Sequence, residues 1–325
     1  MLTRFFFEGD SLSNILIGAV LAVLLTIVAF RFLLFLLPTD HGRAYAVEGS
    51  ASKGKPTGAG FLFITVFCVV SYLFLTPSLP YAIYIFLIEA AMIFGFLDDA
   101  ASKPWNEYLK GAIDLAISFS AALTFALFFD RTIYFPILHL AVLIPFPLYI
   151  LLGTLLVWVA INVTNCTDGV DGLSSSMTIV SVGALAILSY ITNRGDSWSG
   201  TYLLLFSVLC VYLWKNTNPS SLLMGDAGSR ALGVFLAISF MQSRMPVSYL
   251  FLCLLFILNG GAGIVKISLK RFLKISILKN TLTPFHDHLR KRLHWSNPQV
   301  TYRMTLIHAG ICFLYLAVTV IRLRY

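Results

Sequence analysis

The sequence predicts an all-α, polytopic integral membrane protein with about ten transmembrane helices and both termini on the extracytoplasmic side. Three observations predict it: a composition far from that of a water-soluble chain, a succession of membrane-length apolar runs, and a lopsided distribution of basic residues. Of the 325 residues, 58% are hydrophobic and 12% are charged, against roughly 45–50% and about 25% in soluble domains. That excludes an ordinary soluble enzyme and a long disordered chain.

The runs come in order. A hydrocarbon core of about 30 Å takes about 20 apolar helical residues. Such runs lie at 14–37, 58–76, 80–97, 110–129, 139–161, 173–192, 200–214, 229–243, 246–267 and 303–322, the seventh and eighth being short. The first 13 residues lack a basic stretch and a small-residue cleavage site, so the first run reads as a retained span. Pro145 and Pro147 fall in the fifth run, which a membrane helix tolerates where neighbours satisfy the freed carbonyls. No internal repeat interrupts the series, and 1–325 reads as a single membrane domain. The five cysteines have no metal-ligand spacing, so neither disulfides nor a zinc site is expected.

Basic residues divide unevenly. The odd-numbered loops hold Arg43, Lys53, Lys55, Lys103, Lys110, Lys215, Arg230, Lys266, Lys270, Arg271, Lys274, Lys279, Arg290, Lys291, Arg292 and Arg303. The termini and even loops hold only Arg4, Arg131, Arg194, Arg244, Arg322 and Arg324. Basic loops stay in the cytoplasm, which makes the odd loops cytoplasmic. The net charge of +8 then serves orientation and attraction to lipid, and no nucleic-acid partner is expected. The odd loops also hold ten acids, Asp40, Glu48, Asp98, Asp99, Glu107, Asp114, Asp168, Asp171, Asp226 and Asp287, with His41, His286, His288 and His294. Glu89 is the only acid well inside a run, whereas a transporter more often carries ionisable groups at mid-membrane. Chemistry is expected on the cytoplasmic face.

Five constellations carry that chemistry. Asp98-Asp99 ends the third run; two adjacent carboxylates there need a cation or a proton between them, although a solvated helix end would also account for them. Asn162, Asn165, Asp168 and Asp171 recur every three residues, a spacing that shares one face of a helical turn, and Gly169 and Gly172 permit close backbone approach. Gly225-Asp226-Ala227-Gly228-Ser229 precedes a run, leaving helix amides for an anion and a carboxylate for a metal; a simple helix cap is the alternative. His286-Asp287-His288 sits in the most basic loop and suits a pyrophosphate or an anionic lipid surface. Lys53-Gly-Lys-Pro-Thr-Gly-Ala-Gly60 could hold a phosphate, or its glycines could let membrane helices approach. Acids, bases and glycines gathered on one face suggest Mg²⁺-assisted chemistry on a phosphate, with one water-soluble anionic substrate and one lipid substrate.

At these residues the sequence resembles the polyprenyl-phosphate N-acetylhexosamine-1-phosphate transferase superfamily. The stretch Asn-x-x-Asn-x-x-Asp-Gly-x-Asp-Gly-Leu over 162–173 is the most specific. Lys-Gly-x-Pro-Thr at 53–57, Met-Gly-Asp-x-Gly-Ser at 224–229 and Trp295-Ser-x-Pro-x-Val-x-x-Arg303 are most similar to the phospho-N-acetylmuramoyl-pentapeptide transferase subfamily. Departures are Asp287 where a histidine is usual, Arg290 for a Glu, Leu223 for an aromatic, Asp114 for a Gln, and a missing Asp-Gly-Pro-x-x-His lead-in. The resemblance implies a Mg²⁺-dependent transfer of phospho-N-acetylmuramoyl-pentapeptide from a UDP-sugar, UDP-MurNAc-pentapeptide, to undecaprenyl phosphate. This would take place in the bacterial cytoplasmic (inner) membrane, with membrane lipid around it and a possible homodimer. Asp98, Asp99 and Asp226 are its implied catalytic residues. Asp226 would bind the metal, Asp98 handle the lipid phosphate and Asp99 support the metal or its waters. Gly169, Val170 and Asp171 would line a uracil pocket; Asn162, Asn165, Asp168 and Asn216 would organise ribose and phosphates; Lys53, Lys110, His286 and His288 would contact phosphate or sugar. Two other readings stay open: a UDP-HexNAc transferase initiating O-antigen or teichoic-acid synthesis, and a membrane transporter.

Overall fold

A computed structural model describes residues 11–40, 42, 52–76, 78–103, 105–195 and 197–324. Arg4, His41, Arg43 and Glu48, used above, lie outside them. The described residues are mostly helical. In order it forms α1 (Ser11–Phe32), α2 (Gly60–Phe74), α3 (Leu79–Asp99), α4 (Glu107–Phe128), a hairpin of β1 (Thr132–Phe135) and β2 (Leu140–Leu143), α5 (Phe146–Thr167), α6 (Leu173–Ile191), α7 (Gly200–Asn216) and α8 (Gly225–Gln242). A broken pair, α9 (Pro246–Leu252) and α10 (Leu254–Phe272), is bent by 68°. Then come α11 (Phe285–Leu293) and α12 (Asn297–Arg324).

Every expected run contains a helix, but ten membrane-length spans is more than the described residues support. Six helices, in α1, α3, α4, α5, α6 and α12, are long and apolar enough to cross a membrane, or seven counting the bent pair as one. Helices α2, α7 and α8 have 15, 17 and 18 residues. At 1.5 Å per residue they fall short of a core about 30 Å thick. The hydrophobicity of α8 faces protein: Ala227 through Gln242 are all buried. An apolar run of helical length therefore marked an interior helix as readily as a lipid-facing one.

Three boundaries also move. The expected fifth span started at 139, yet 140–143 is the second strand of an antiparallel hairpin pairing Thr132 with Leu143, so the fold is not purely α. Pro145 then caps α5 and Pro147 falls in its first turn, where a missing N–H costs no helical bond. The fourth helix starts at Glu107, because Asn106 Oδ1 accepts from Leu109 N at 2.7 Å. The last starts at Asn297, because Ser296 and Gln299 form a reciprocal box: Ser296 N donates to Gln299 Oε1 at 3.0 Å and Gln299 N to Ser296 Oγ at 3.4 Å.

Helix α8 occupies the middle, with α2, α3 and α5 against it. Glycines allow the contact. A Cβ on Gly60 would fall on the backbone of Gly228, and one on Gly95 would lie 2.6 Å from the amide nitrogen of Ala227. Backbones meet there without side chains between them. The result draws the C-terminus of α3 onto the N-terminus of α8.

Candidate active site

Four helix ends converge at one place: the C-termini of α3 and α5 and the N-termini of α4 and α8. Asp98, in the last turn of α3, is ion-paired through Oδ2 with Lys110 of α4. Its Oδ1 accepts from Trp105 N at 2.8 Å. Asp226, in the first turn of α8, accepts at Oδ1 from Asn165 Nδ2 of α5 at 2.9 Å. Its Oδ2 lies 3.6 Å from Lys110 Nζ and 3.4 Å from Arg230 Nε. Asn165 Nδ2 also reaches Ser229 Oγ at 3.0 Å. One ammonium thus stands beside two carboxylates, and the side chains of Lys110 and Asp226 keep 23% and 17% exposure. The cluster is open to a soluble ligand.

Asp99 is occupied differently. Its Oδ1 accepts from Asp226 N and its Oδ2 from Ala227 N, both at 3.1 Å. It caps α8 from the neighbouring helix, placing negative charge at the positive end of that dipole. The turn at Gly225, with φ of +72°, presents those amides.

A second group ties the 168–172 turn to the 216–222 loop. Asp171 Oδ2 accepts from Asn218 Nδ2 and Ser220 N, each at 3.1 Å, and the Asp171 carbonyl from Thr301 Oγ1 at 2.8 Å. Asn216 Oδ1 accepts from Gly172 N at 2.8 Å, and its amide donates to the Leu222 carbonyl at 2.9 Å. Asp168 ends α5, three residues beyond Asn165; Gly169 is exposed and Val170 buried in the same turn.

A third group centres on His286. Its N–H donates to Asn259 Oδ1 at 2.8 Å, its Nδ1 lies 3.1 Å from Asn259 Nδ2, and Nε2 lies against Gly169, where a Cβ would collide with it. Burial pushes the imidazole down to about 4, with Asp287 opposing that shift and Arg290 adding to it. The ring is therefore neutral at pH 7. His288 points elsewhere: its Nδ1 accepts from Leu282 N at 3.3 Å. Lys53 is exposed in a turn and makes no hydrogen bond or ion pair among the described residues, whereas Lys55 donates to Ser220 Oγ at 3.2 Å. Asn162 sits one turn before Asn165–Cys166, donates to the Trp158 carbonyl at 2.9 Å and hydrogen-bonds Asp114.

A family model described as glycosyl transferase family 4 matches residues 81–244. A protein of Treponema pallidum (strain Nichols) named phospho-N-acetylmuramoyl-pentapeptide-transferase is 36% identical over 297 residues, 86% of this chain and 81% of its own. The chain belongs to that family of transferases. Proteins of the same name from Borreliella afzelii and Kosmotoga olearia are 29% identical over 301 and 264 residues, covering 85% and 78% of this chain and 84% and 80% of theirs.

In this phospho-N-acetylmuramoyl-pentapeptide transferase family member, the matched segment holds the carboxylate cluster and leaves His286 and His288 outside it. Two departures noted in the sequence turn out to partner each other: Arg290 Nη2 donates to Asp287 Oδ1 at 2.8 Å. A third, Asp114, is paired with Arg230. Sequence reading overlooked Asn259, whose signal was a lone amide inside the apolar run 246–267. It counted Arg230 only as a loop charge, although its spacing of four from Asp226 puts both on one helical face. Among the described residues no three His, Cys, Asp or Glu side chains close on a common point. Mg²⁺ needs no such cage: one or two carboxylates plus waters and substrate phosphates suffice. The hard oxygens of Asp226 and Asp98, already holding an ammonium between them, fit it.

Proposed function

We propose that this enzyme transfers phospho-N-acetylmuramoyl-pentapeptide from its UDP-linked form to undecaprenyl phosphate, releasing UMP and forming a lipid intermediate of peptidoglycan. What carries the reading is the meeting of Asp98, Lys110, Asn165 and Asp226 at converging helix ends, in a chain 36% identical to a transferase of that name. It works as a multi-pass protein of the bacterial cytoplasmic membrane, with this cluster on the cytoplasmic face, where soluble nucleotide and lipid head can both reach it.

The reaction is a displacement at phosphorus. An oxygen of the lipid phosphate attacks the phosphorus that bears the sugar, a new P–O–P bridge forms, and the old bridge breaks with its electron pair on UMP. A phosphate monoester is largely ionised at pH 7, its second pKa being about 6, so little basicity is required of Asp98. Asp98 and Lys110 position that phosphate, the ammonium offsetting its charge. Asp226 would hold Mg²⁺, with Asp98 and Asp99 nearby, and the ion would neutralise charge on the pyrophosphate. Asn165 fixes the Asp226 oxygen. The turn of Gly169, Val170 and Asp171, with Asn162, Asp168 and Asn216, orients the uridine side. Lys53, His286 and His288 serve phosphate and sugar.

The test is purified protein in detergent with undecaprenyl phosphate, Mg²⁺ and a panel of UDP-sugars. Labelled lipid is expected from the muramoyl-pentapeptide donor and is expected to vanish with EDTA. Product from UDP-N-acetylglucosamine instead would move the enzyme to another branch of the superfamily. A phosphorylated enzyme trapped without lipid would replace direct attack by a two-step route through Asp226.

A further inference from the structure

Next to the carboxylate cluster lies a buried ion pair that the proposed reaction does not use. The side chains of Arg230 and Asp114 are 8% and 4% exposed, and Nη1 donates to Oδ1 at 2.9 Å. Replacing such a pair by apolar residues of similar size is often neutral or stabilising, so stability alone explains it poorly. Its placement says more. Arg230 lies one turn after Asp226 on α8, and its Nε, 3.4 Å from Asp226 Oδ2, has no hydrogen-bond partner among the described residues. Asp114 lies one turn after Lys110 on α4 and is hydrogen-bonded by Asn162 of α5. Lys110 pairs with Asp98 and approaches the same Asp226 oxygen to 3.6 Å. Opposite charges therefore alternate from Asp98 through Lys110, Asp226 and Arg230 to Asp114.

We propose that Arg230 and Asp114 are positioning residues for Asp226, and that together they set the charge with which the site meets a divalent cation. Arg230 holds the Oδ2 oxygen from the interior side, and Asp114 with Asn162 holds Arg230. The inference rests on the reading of Asp226 as the magnesium-holding carboxylate. Four carboxylates (Asp98, Asp99, Asp114, Asp226) and two cations (Lys110, Arg230) leave a formal charge of −2, which one divalent ion matches. Neutralising Arg230 makes it −3, neutralising Asp114 makes it −1, and neutralising both restores −2. Coulomb attraction for the ion must follow that order.

The experiment is titration of the full-length protein in detergent with MgCl₂ and MnCl₂, read first as thermal stabilisation without substrates and then as UMP release. Arg230→Gln is expected to lower the half-saturating metal concentration about ten-fold, and Asp114→Asn to raise it about ten-fold. The double variant returns to within about three-fold of wild type, with kcat still reduced because Asp226 Oδ2 has lost the guanidinium beside it. Arg230→Lys keeps the charge, so metal half-saturation stays near wild type while kcat falls; together with Asp114→Asn it carries the test if Arg230→Gln does not fold. A purely structural pair would weaken both single variants without moving metal affinity in opposite directions. Shifts of the same sign, or none, in a protein whose wild type responds to Mg²⁺ would overturn this inference alone. A wild type indifferent to both ions in both readouts would overturn the metal reading and this inference with it.

Discussion

Asn259 shows what a single polar side chain inside an apolar run does: it holds His286 at both its backbone N–H and its ring. Asn259→Ala leaves those groups buried without a partner, at a cost of roughly 1–3 kcal/mol, so a lower melting temperature is expected in detergent. His286 itself sets a pH dependence. Its imidazole is held down to about 4 and returns to about 6.5 on unfolding. Between those values the folded state binds fewer protons, so stability falls as pH drops from 6.5 toward 4 and is unaffected above. His286→Gln should lessen that decline in melting temperature; an unchanged slope would remove the buried ring as its cause. Asp226→Asn is expected to cut turnover by more than about a hundred-fold with the protein still folded by size exclusion, and near-wild-type UMP release would defeat the metal assignment. Asp98, Lys110 and Asp226 were legible in the sequence because charge at the end of an apolar run is conspicuous, and Asn165 because it recurs with Asn162, Asp168 and Asp171 every three residues. Which other charged group each one meets was not, because Lys110 and Asp98 are joined by the fold and not by spacing. Lys53 was singled out by the glycines around it; Gly54 lies in a turn and Gly60 lets α2 meet α8.

Elements were legible to the extent that one rule governed them. Hydropathy located α1, α3, α4, α5, α6 and α12, which are long and apolar enough to cross a membrane. It also picked out α8, which is apolar for a different reason, being enclosed by protein. The hairpin 132–143 was invisible to it, since two four-residue strands carry too short a pattern to stand out from an apolar run. The Ser296–Gln299 box marks the start of α12 by local chemistry, independently of hydropathy. The α3–α8 contact gives a test at this scale. Gly95→Ala places a methyl against the backbone of Asp226 and Ala227, which should cost about 1–3 kcal/mol and lower turnover by shifting Asp226. Wild-type turnover with wild-type melting would mean the two helices do not touch there.

For the whole molecule, the charge asymmetry gives an orientation that can be checked directly. Leu138, in the hairpin, and Lys279, after the bent pair, are both exposed and were assigned to opposite sides. In intact spheroplasts a membrane-impermeant maleimide should label Leu138→Cys above background and leave Lys279→Cys unlabelled until lysis. The reverse pattern would put the carboxylate cluster on the outer face and take it away from cytosolic nucleotide.

The enclosure of α8 also constrains how the chain is made. Released alone into hydrocarbon, this segment would bring Asp226 and Arg230 with it, and each such charge costs about 2.5–3.5 kcal/mol at mid-bilayer, less near the surface. The groups that meet them, the Asn165 amide, the Lys110 ammonium and the Asp114 carboxylate, are on α4 and α5, which leave the ribosome earlier. Synthesis order and charge order agree: those partners on α4 and α5 are made before α8 itself.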